Sequence, residues 1–203
     1  MMLRKIGTKY FLCYNLYSEG EKKMIQFLIG LGIVIFLIII YVMATYNGLI
    51  SLRNRVKDQW AQVDVQLKKR ASLIPNLVET VKGYVTHEKS TFEEVIVARN
   101  KVTTAVTPEA EMDANNMLTN TLSKLFALSE AYPDLKANQN FLSLQADLAD
   151  IEDKIAYARQ FYNDSVYSYN NKIEMFPSNF ISSMFKFKQS KFFEVNEEDS
   201  KNP

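Results

Sequence analysis

The sequence predicts an all-α protein with one amino-terminal transmembrane helix followed by an elongated antiparallel bundle of about four helices. Three observations carry this. From Met24 to Leu52 there is no charged residue. Beyond it, apolar residues recur every three or four positions, and nothing alternates with period two over a useful length. In 139–176 the stripe Phe141, Leu144, Leu148, Ile151, Ile155, Ala158, Tyr162, Val166, Tyr169, Ile173, Phe176 takes ten steps over 35 residues, the 3.5-residue period of left-handed bundle packing.

The chain is read in four parts. Residues 1–23, "MMLRKIGTKYFLCYNLYSEGEKK", resemble neither a signal n-region nor a domain. The Glu-Gly-Glu-Lys-Lys run before Met24 is what a purine-rich ribosome-binding site would encode, so translation is expected to start at Met24. Residues 24–46, "MIQFLIGLGIVIFLIIIYVMATY", would span about 34 Å as a helix, enough for a hydrocarbon core of roughly 30 Å. The run is longer than a signal h-region, so a retained anchor in the lipid bilayer is expected. Residues 47–193 form the bundle and 194–203 a flexible tail.

The helix leaving the anchor carries Leu49, Leu52, Val56, Trp60, Val63 and Leu67 on one face. It is expected to stop at Pro75: Lys68, Lys69 and Arg70 suit a helix carboxyl end, and Ile74 before proline is pushed from helical geometry. Asn76 with Glu79 would then open a second helix, to about Val106, as a capping box. The alternative is one helix kinked at the proline. Thr107-Pro108-Glu109 opens the third helix, with threonine as cap and proline at the first helical position. It runs through Leu118, Leu122 and Leu125 to "AYPDLK".

Charge divides unevenly. Residues 53–101 hold 10 basic and 6 acidic side chains, residues 102–176 hold 5 and 11. Opposite-sign helix faces meeting within the bundle would account for this. Without a basic stripe, nucleic acid is not an expected partner.

Catalytic chemistry lacks its residues. The body's one histidine, His87, begins "HEKST", without the second histidine at i+4 that a zinc-protease motif needs. Tyr84 stands where a Glu-x-x-His pair would need its glutamate. The lone cysteine, Cys13, lies in the leader, and no glycine-rich phosphate loop occurs. No catalytic residue, metal or cofactor is expected. Four polar or aromatic features remain as candidate contacts with a partner or a membrane surface: the basic corner Lys68, Lys69, Arg70; the pairs Tyr162-Asn163 and Tyr169-Asn170, seven residues apart; and Phe185 and Phe187 in "NFISSMFKFKQSKFF". That last segment either folds back over the bundle or lies on the membrane as an amphipathic stretch.

Three stretches, "YNGLISLRNRVKDQWAQVDVQLKKRASLIPNLVETVKGYVTHE", "LSEAYPDLKANQNFLSLQADLADIEDKIAYARQFYNDSVYSYNNKIEMFP" and "FKFKQSKFFEV", closely resemble the bacterial LemA family. The resemblance covers nearly everything from residue 24 onward and implies a helical bundle hung from an amino-terminal membrane helix. Some members carry a lipoprotein cysteine before the Tyr-Asn pair; here the residues are Ala44-Thr45-Tyr46-Asn47, so lipidation is not expected. Lipidated members imply a body outside the cytoplasm, whereas Arg53, Arg55 and Lys57 after the anchor narrowly favour a cytoplasmic one. The resemblance brings no reaction. It implies a neighbourhood with membrane zinc proteases of the HtpX type, hence a membrane protein partner in quality control. The expected function is a non-enzymatic, membrane-anchored scaffold or adaptor, with self-association allowed; the alternative is an envelope-remodelling protein acting on lipid through Lys68-Lys69-Arg70 and the phenylalanine-rich segment.

Overall fold

A computed structural model describes residues 3–85 and 88–194, with side chains from Met24 onward. The expectations placed on residues 1–2, on His87 and on 195–203 lie outside the described residues; of 3–23 the backbone alone is described, as helix. Six helices follow in order: α1 (Leu3–Lys82), α2 (Lys89–Thr104), α3 (Pro108–Ser129), α4 (Pro133–Lys136), α5 (Gln139–Glu174) and α6 (Ser178–Met184). Among the described residues there is no strand. The chain divides into two compact units between Gly48 and Leu49.

Among the described residues one helix, from Met24 to Lys82, is long and apolar enough to cross a membrane, and nothing in its most apolar 18-residue window is buried. A core helix of a water-soluble bundle would hide such a surface. Here Phe27, Phe36 and the isoleucines 38–40 all stand exposed.

The second unit is the bundle. Its core is built from Leu49, Val56, Val63, Leu67 and Leu77 of α1, Phe92 and Val95 of α2, Leu118, Leu122 and Leu125 of α3, and Phe141, Leu148, Ile155 and Val166 of α5, all buried. Each such side chain contributes roughly 1.5–3 kcal/mol by leaving water. The predicted stripe on α5 is the buried one from Phe141 to Ile173, with Leu144, Ile151 and Ala158 half-buried; Phe176, its expected last member, is 77% exposed. Thr107 caps α3 as expected, its Oγ1 accepting from the Ala110 amide at 3.2 Å, with Pro108 in the first turn.

The expected break at Pro75 is not found. α1 continues through the proline to Lys82, and the turn begins at Gly83-Tyr84. The count of four long bundle helices stands, but the first corner is displaced by a full two turns. Pro75 has no N–H for the Ala71 carbonyl four residues back. Arg99 of α2 reaches across and donates its Nε to that carbonyl at 3.3 Å. Asn76 therefore sits inside a helix rather than capping one, and its carbonyl accepts from Thr80 Oγ1 at 2.8 Å. Gly83, the poorest helix former after proline, is where α1 ends, directly after Lys82.

α1 and α5 run antiparallel in one register. Tyr84 meets Asn138 (Nδ2 to hydroxyl, 2.8 Å), Arg70 meets Glu152 (3.0 Å), and Trp60 packs edge-on against Tyr162 at 5.2 Å. Every step back along α1 is matched by an equal step forward along α5. Of the five ion pairs among the described residues, Arg70–Glu152 alone joins a base from 53–101 to an acid from 102–176. Among the described residues the charge division thus supplies one direct ion pair between helices.

Candidate functional site

Of the four candidate features, the structure brings the two Tyr-Asn pairs and the phenylalanine-rich segment together along α5, and the basic run meets α5 through Arg70 alone. Lys68, Lys69 and Arg70 lie inside α1 and form no corner. Lys68 pairs with Asp64 one turn back at 2.6 Å, and Lys69 is exposed. Arg70 is turned inward and is 5% exposed. Its Nη1 donates to Asn115 Oδ1 at 3.0 Å and Thr119 Oγ1 at 2.9 Å, both on α3, while Nη2 pairs with Glu152 of α5 at 3.0 Å. Burial pulls the guanidinium below its ordinary pKa and the Glu152 charge pulls it back up. One cation thus ties three helices. Such a group is costly to bury unless its donors find partners, and here both terminal nitrogens do.

Beside this cluster a groove of about 760 Å³ opens between α3 and α5. Leu122, Phe126 and Leu148 supply apolar walls, and Arg70, Glu152 and Arg159 supply polar ones. It is an open trough, suited to a side-chain row or a short segment of a partner more than to an enclosed small molecule.

The two Tyr-Asn pairs hold the end of the described chain. After α6, residues 187–194 run extended along α5 as a strap. Asn170 Nδ2 donates to the Ser190 carbonyl at 2.9 Å and its Oδ1 accepts from the Ser190 amide at 3.0 Å. Asn163 does the same for Phe193, at 3.1 and 2.8 Å. Each asparagine amide thus offers the strap the donor and acceptor that a neighbouring strand would. The spacing has a geometric cause. Seven helical residues rise about 10.5 Å, and three extended residues span about 10 Å. Two turns of α5 therefore match the step from 190 to 193.

Tyr162 donates its hydroxyl to the Lys191 carbonyl at 2.9 Å. Its pKa is pushed up to about 12, by burial first and then by the Glu109 charge, so it stays a donor. Tyr169 is buried, and burial raises it while Arg53 works the other way. Phe193, 2% exposed, sits 6.1 Å from Trp60, with the Arg159 guanidinium 5.9 Å over its ring. The Arg53 guanidinium lies 5.5 Å over the ring of Phe187, which is half-buried; Phe185 is 47% exposed. The segment folds back over the bundle, and the Tyr-Asn pairs face it.

Sequence reasoning missed two groups. Asp64, Lys68 and Glu111 converge between α1 and α3. Glu111 is buried, its Oε1 makes no hydrogen bond, and its pKa is raised to about 7 by burial first, then by the Asp64 hydrogen bond and charge, against the pull of Lys68. Burial alone would raise Asp64, but hydrogen bonds with Lys68 and Glu111 and the Lys68 charge hold it below its ordinary value. Glu111 reads from sequence as one more acid in a first helical turn, and no local signal marks it for burial. The second group, Asn115 and Thr119, lies one helical turn apart, a spacing that aims both at one point.

The profile of the LemA family matches residues 59–203, beginning inside α1. Magnetosome protein MamQ 1 of Paramagnetospirillum magneticum is 22% identical over 175 residues, covering 73% of this chain and 64% of its own. MamQ 2 of the same organism matches equally. The chain therefore spans under two thirds of the length of these relatives. Protein LemA of Metamycoplasma hominis is 23% identical over 172 residues, covering 84% of this chain and 77% of its own.

Proposed function

Because the chain belongs to the LemA family, we propose that it is a non-enzymatic, membrane-anchored helical scaffold that engages a membrane protein through its bundle surface. The reading is carried by one observation: a stretch of α1 whose most apolar 18 residues bury nothing is continuous in one chain with a bundle whose open groove has apolar walls and a charged edge. The first supplies attachment to the bilayer. The second supplies a surface, with Glu152 and Arg159 at its edge to orient a segment laid on Leu122, Phe126 and Leu148. The polar groups within the bundle serve its own cohesion: Arg70 is used by Asn115, Thr119 and Glu152, and the asparagine amides by the strap. The partner fitting this reading is an integral membrane protein, with an HtpX-type protease as the first to try.

Photocrosslinking in intact cells tests it. A crosslinking residue at Ala149, exposed in the groove, is expected to give a heteromeric product with a membrane protein. The same residue at Tyr157, on an exposed face away from the groove lining, is expected to give none. Products containing this chain alone from both positions would remove the adaptor reading.

A further inference from the structure

The register of α1 and α5 places the start of the bundle unit beside the end of α5. Trp60 packs on Tyr162, and Arg53, seven residues back, is close enough to act on Tyr169, seven residues forward. Four residues further in the same register, Leu49 comes level with Ile173, and both are buried. Leu49 is the first residue of the second unit and follows the apolar stretch within a few residues. A few residues reach at most about 3.6 Å each. Leu49 comes three residues after Tyr46, the last residue of that stretch, so the chain allows about 11 Å at most between these two residues.

Just past Ile173 the surface changes character. Met175, Phe176, Phe180 and Met184 are 61%, 77%, 68% and 62% exposed. Phe176 and Phe180 stand edge to face at 6.0 Å, so the pair is held together while pointing away from the core. Contiguous exposed aromatics on a water-facing domain mark a contact surface. The residues around them are basic: 172–191 hold Lys172, Lys186, Lys188 and Lys191 against the single carboxylate Glu174, which is engaged by Gln189. Lys186, Lys188 and Lys191 are exposed and form no ion pair among the described residues.

We propose that this end of the bundle is a second lipid contact, in which Met175, Phe176, Phe180 and Met184 enter the boundary between headgroups and acyl chains while the three lysines face anionic phosphates. Amphipathic elements with aromatic and methionine tips and lysines at the rim bind bilayers in this way. Four side chains would hold a free protein weakly. A body already attached to the same bilayer works at high effective concentration, and weak contacts then suffice. The contact holds the bundle end against the surface instead of leaving it to swing on its tether. The inference rests on the membrane-anchored reading above.

The experiment uses the full chain with Cys13→Ser, reconstituted in phosphatidylcholine vesicles with and without phosphatidylglycerol. A polarity-sensitive fluorophore is placed on single cysteines at Met184, Ile35 or Ala137. The Ile35 label, in the apolar stretch, is expected to be quenched by lipid-borne nitroxide. The Ala137 label, exposed at the other end of α5, is expected to be quenched by iodide alone. The Met184 label is expected to follow Ile35, more strongly with phosphatidylglycerol, and to become iodide-accessible when Phe176→Ser and Phe180→Ser are added. Lipid quenching at Ile35 with iodide quenching at Met184 overturns the second contact and leaves the anchor standing. Shielding of Met184 from both quenchers also overturns it, because protein then covers the patch. Absence of lipid quenching at Ile35 overturns the anchored reading itself.

Discussion

Arg99 donates its Nε to the carbonyl of Ala71 at 3.3 Å, the one carbonyl in α1 that Pro75 leaves without its usual partner. A proline in a helix interior costs about 3 kcal/mol, partly through the lost hydrogen bond. α2 supplies a substitute donor from 28 residues away in sequence. Arg99→Ala is expected to cost about 1–2 kcal/mol. Pro75→Ala, which restores the N–H, is expected to stabilise α1. In that background Arg99→Ala should cost measurably less, a coupling that thermal melts of the four proteins would reveal. Equal costs in both backgrounds would mean that Arg99 does not serve this carbonyl.

The buried arginine is expected to be far less replaceable than its acid. Arg70→Ala leaves Asn115 and Thr119 without their donor in the interior, and breaking such a buried network costs about 3–5 kcal/mol. Glu152→Gln, with a side chain 50% exposed, should cost about 1 kcal/mol or less. Chemical denaturation of the two variants checks the ranking, and equal losses would contradict it.

The strap should detach without unfolding the bundle. Asn163→Ala with Asn170→Ala removes four hydrogen bonds to residues 190 and 193. Trypsin is then expected to cut after Lys188 and Lys191 faster than in the parent, while helical circular dichroism is retained. Slow amide exchange at Ser190 and Phe193 in the double variant would count against the clamp.

Stability should fall as pH rises through the range set by Glu111. Its pKa in the folded protein is about 7 against an ordinary 4.5. The folded state therefore holds this proton more tightly than the unfolded chain. The contribution is full below pH 4.5 and is lost as pH rises to about 7, by an amount on the order of 2 kcal/mol. Asp64, held below its ordinary value, acts oppositely and only under about pH 4. Melts of the parent should lose stability between pH 5 and 8, and Glu111→Gln should flatten the profile in that window.

Lys186 ends α6 in the left-handed region, φ 56°. Its amide donates to Ser183 and that of Phe187 to Ser182, the paired bonds of a Schellman stop, whose usual residue at this position is glycine. Lys186→Gly is expected to stabilise by about 1 kcal/mol. A lower melting temperature would show that the lysine side chain contributes more than its backbone costs.

Much of this molecule is legible along the chain, because the rules that decide helices act within a few residues. The α5 stripe follows from 3.5-residue spacing, the start of α3 from Thr107-Pro108, and the exposed apolar helix from a run of 29 positions, 24–52, without a charge. The same local rules place a corner at Pro75 and set Arg70 on the surface beside the exposed Lys68 and Lys69; the corner and the surface Arg70 fail for one reason. The rules weigh Pro75 without Arg99, and Arg70 without Asn115, Thr119 and Glu152, partners 24 to 82 residues away. Whether a proline breaks a helix, or an arginine faces water, is settled by what the folded neighbours offer to an orphaned carbonyl or a buried cation. The Tyr-Asn repeat is the intermediate case. Its seven-residue period is visible in the sequence, but its meaning comes only from the strap, whose extended rise brings residues 190 and 193 level with two successive heptads of α5.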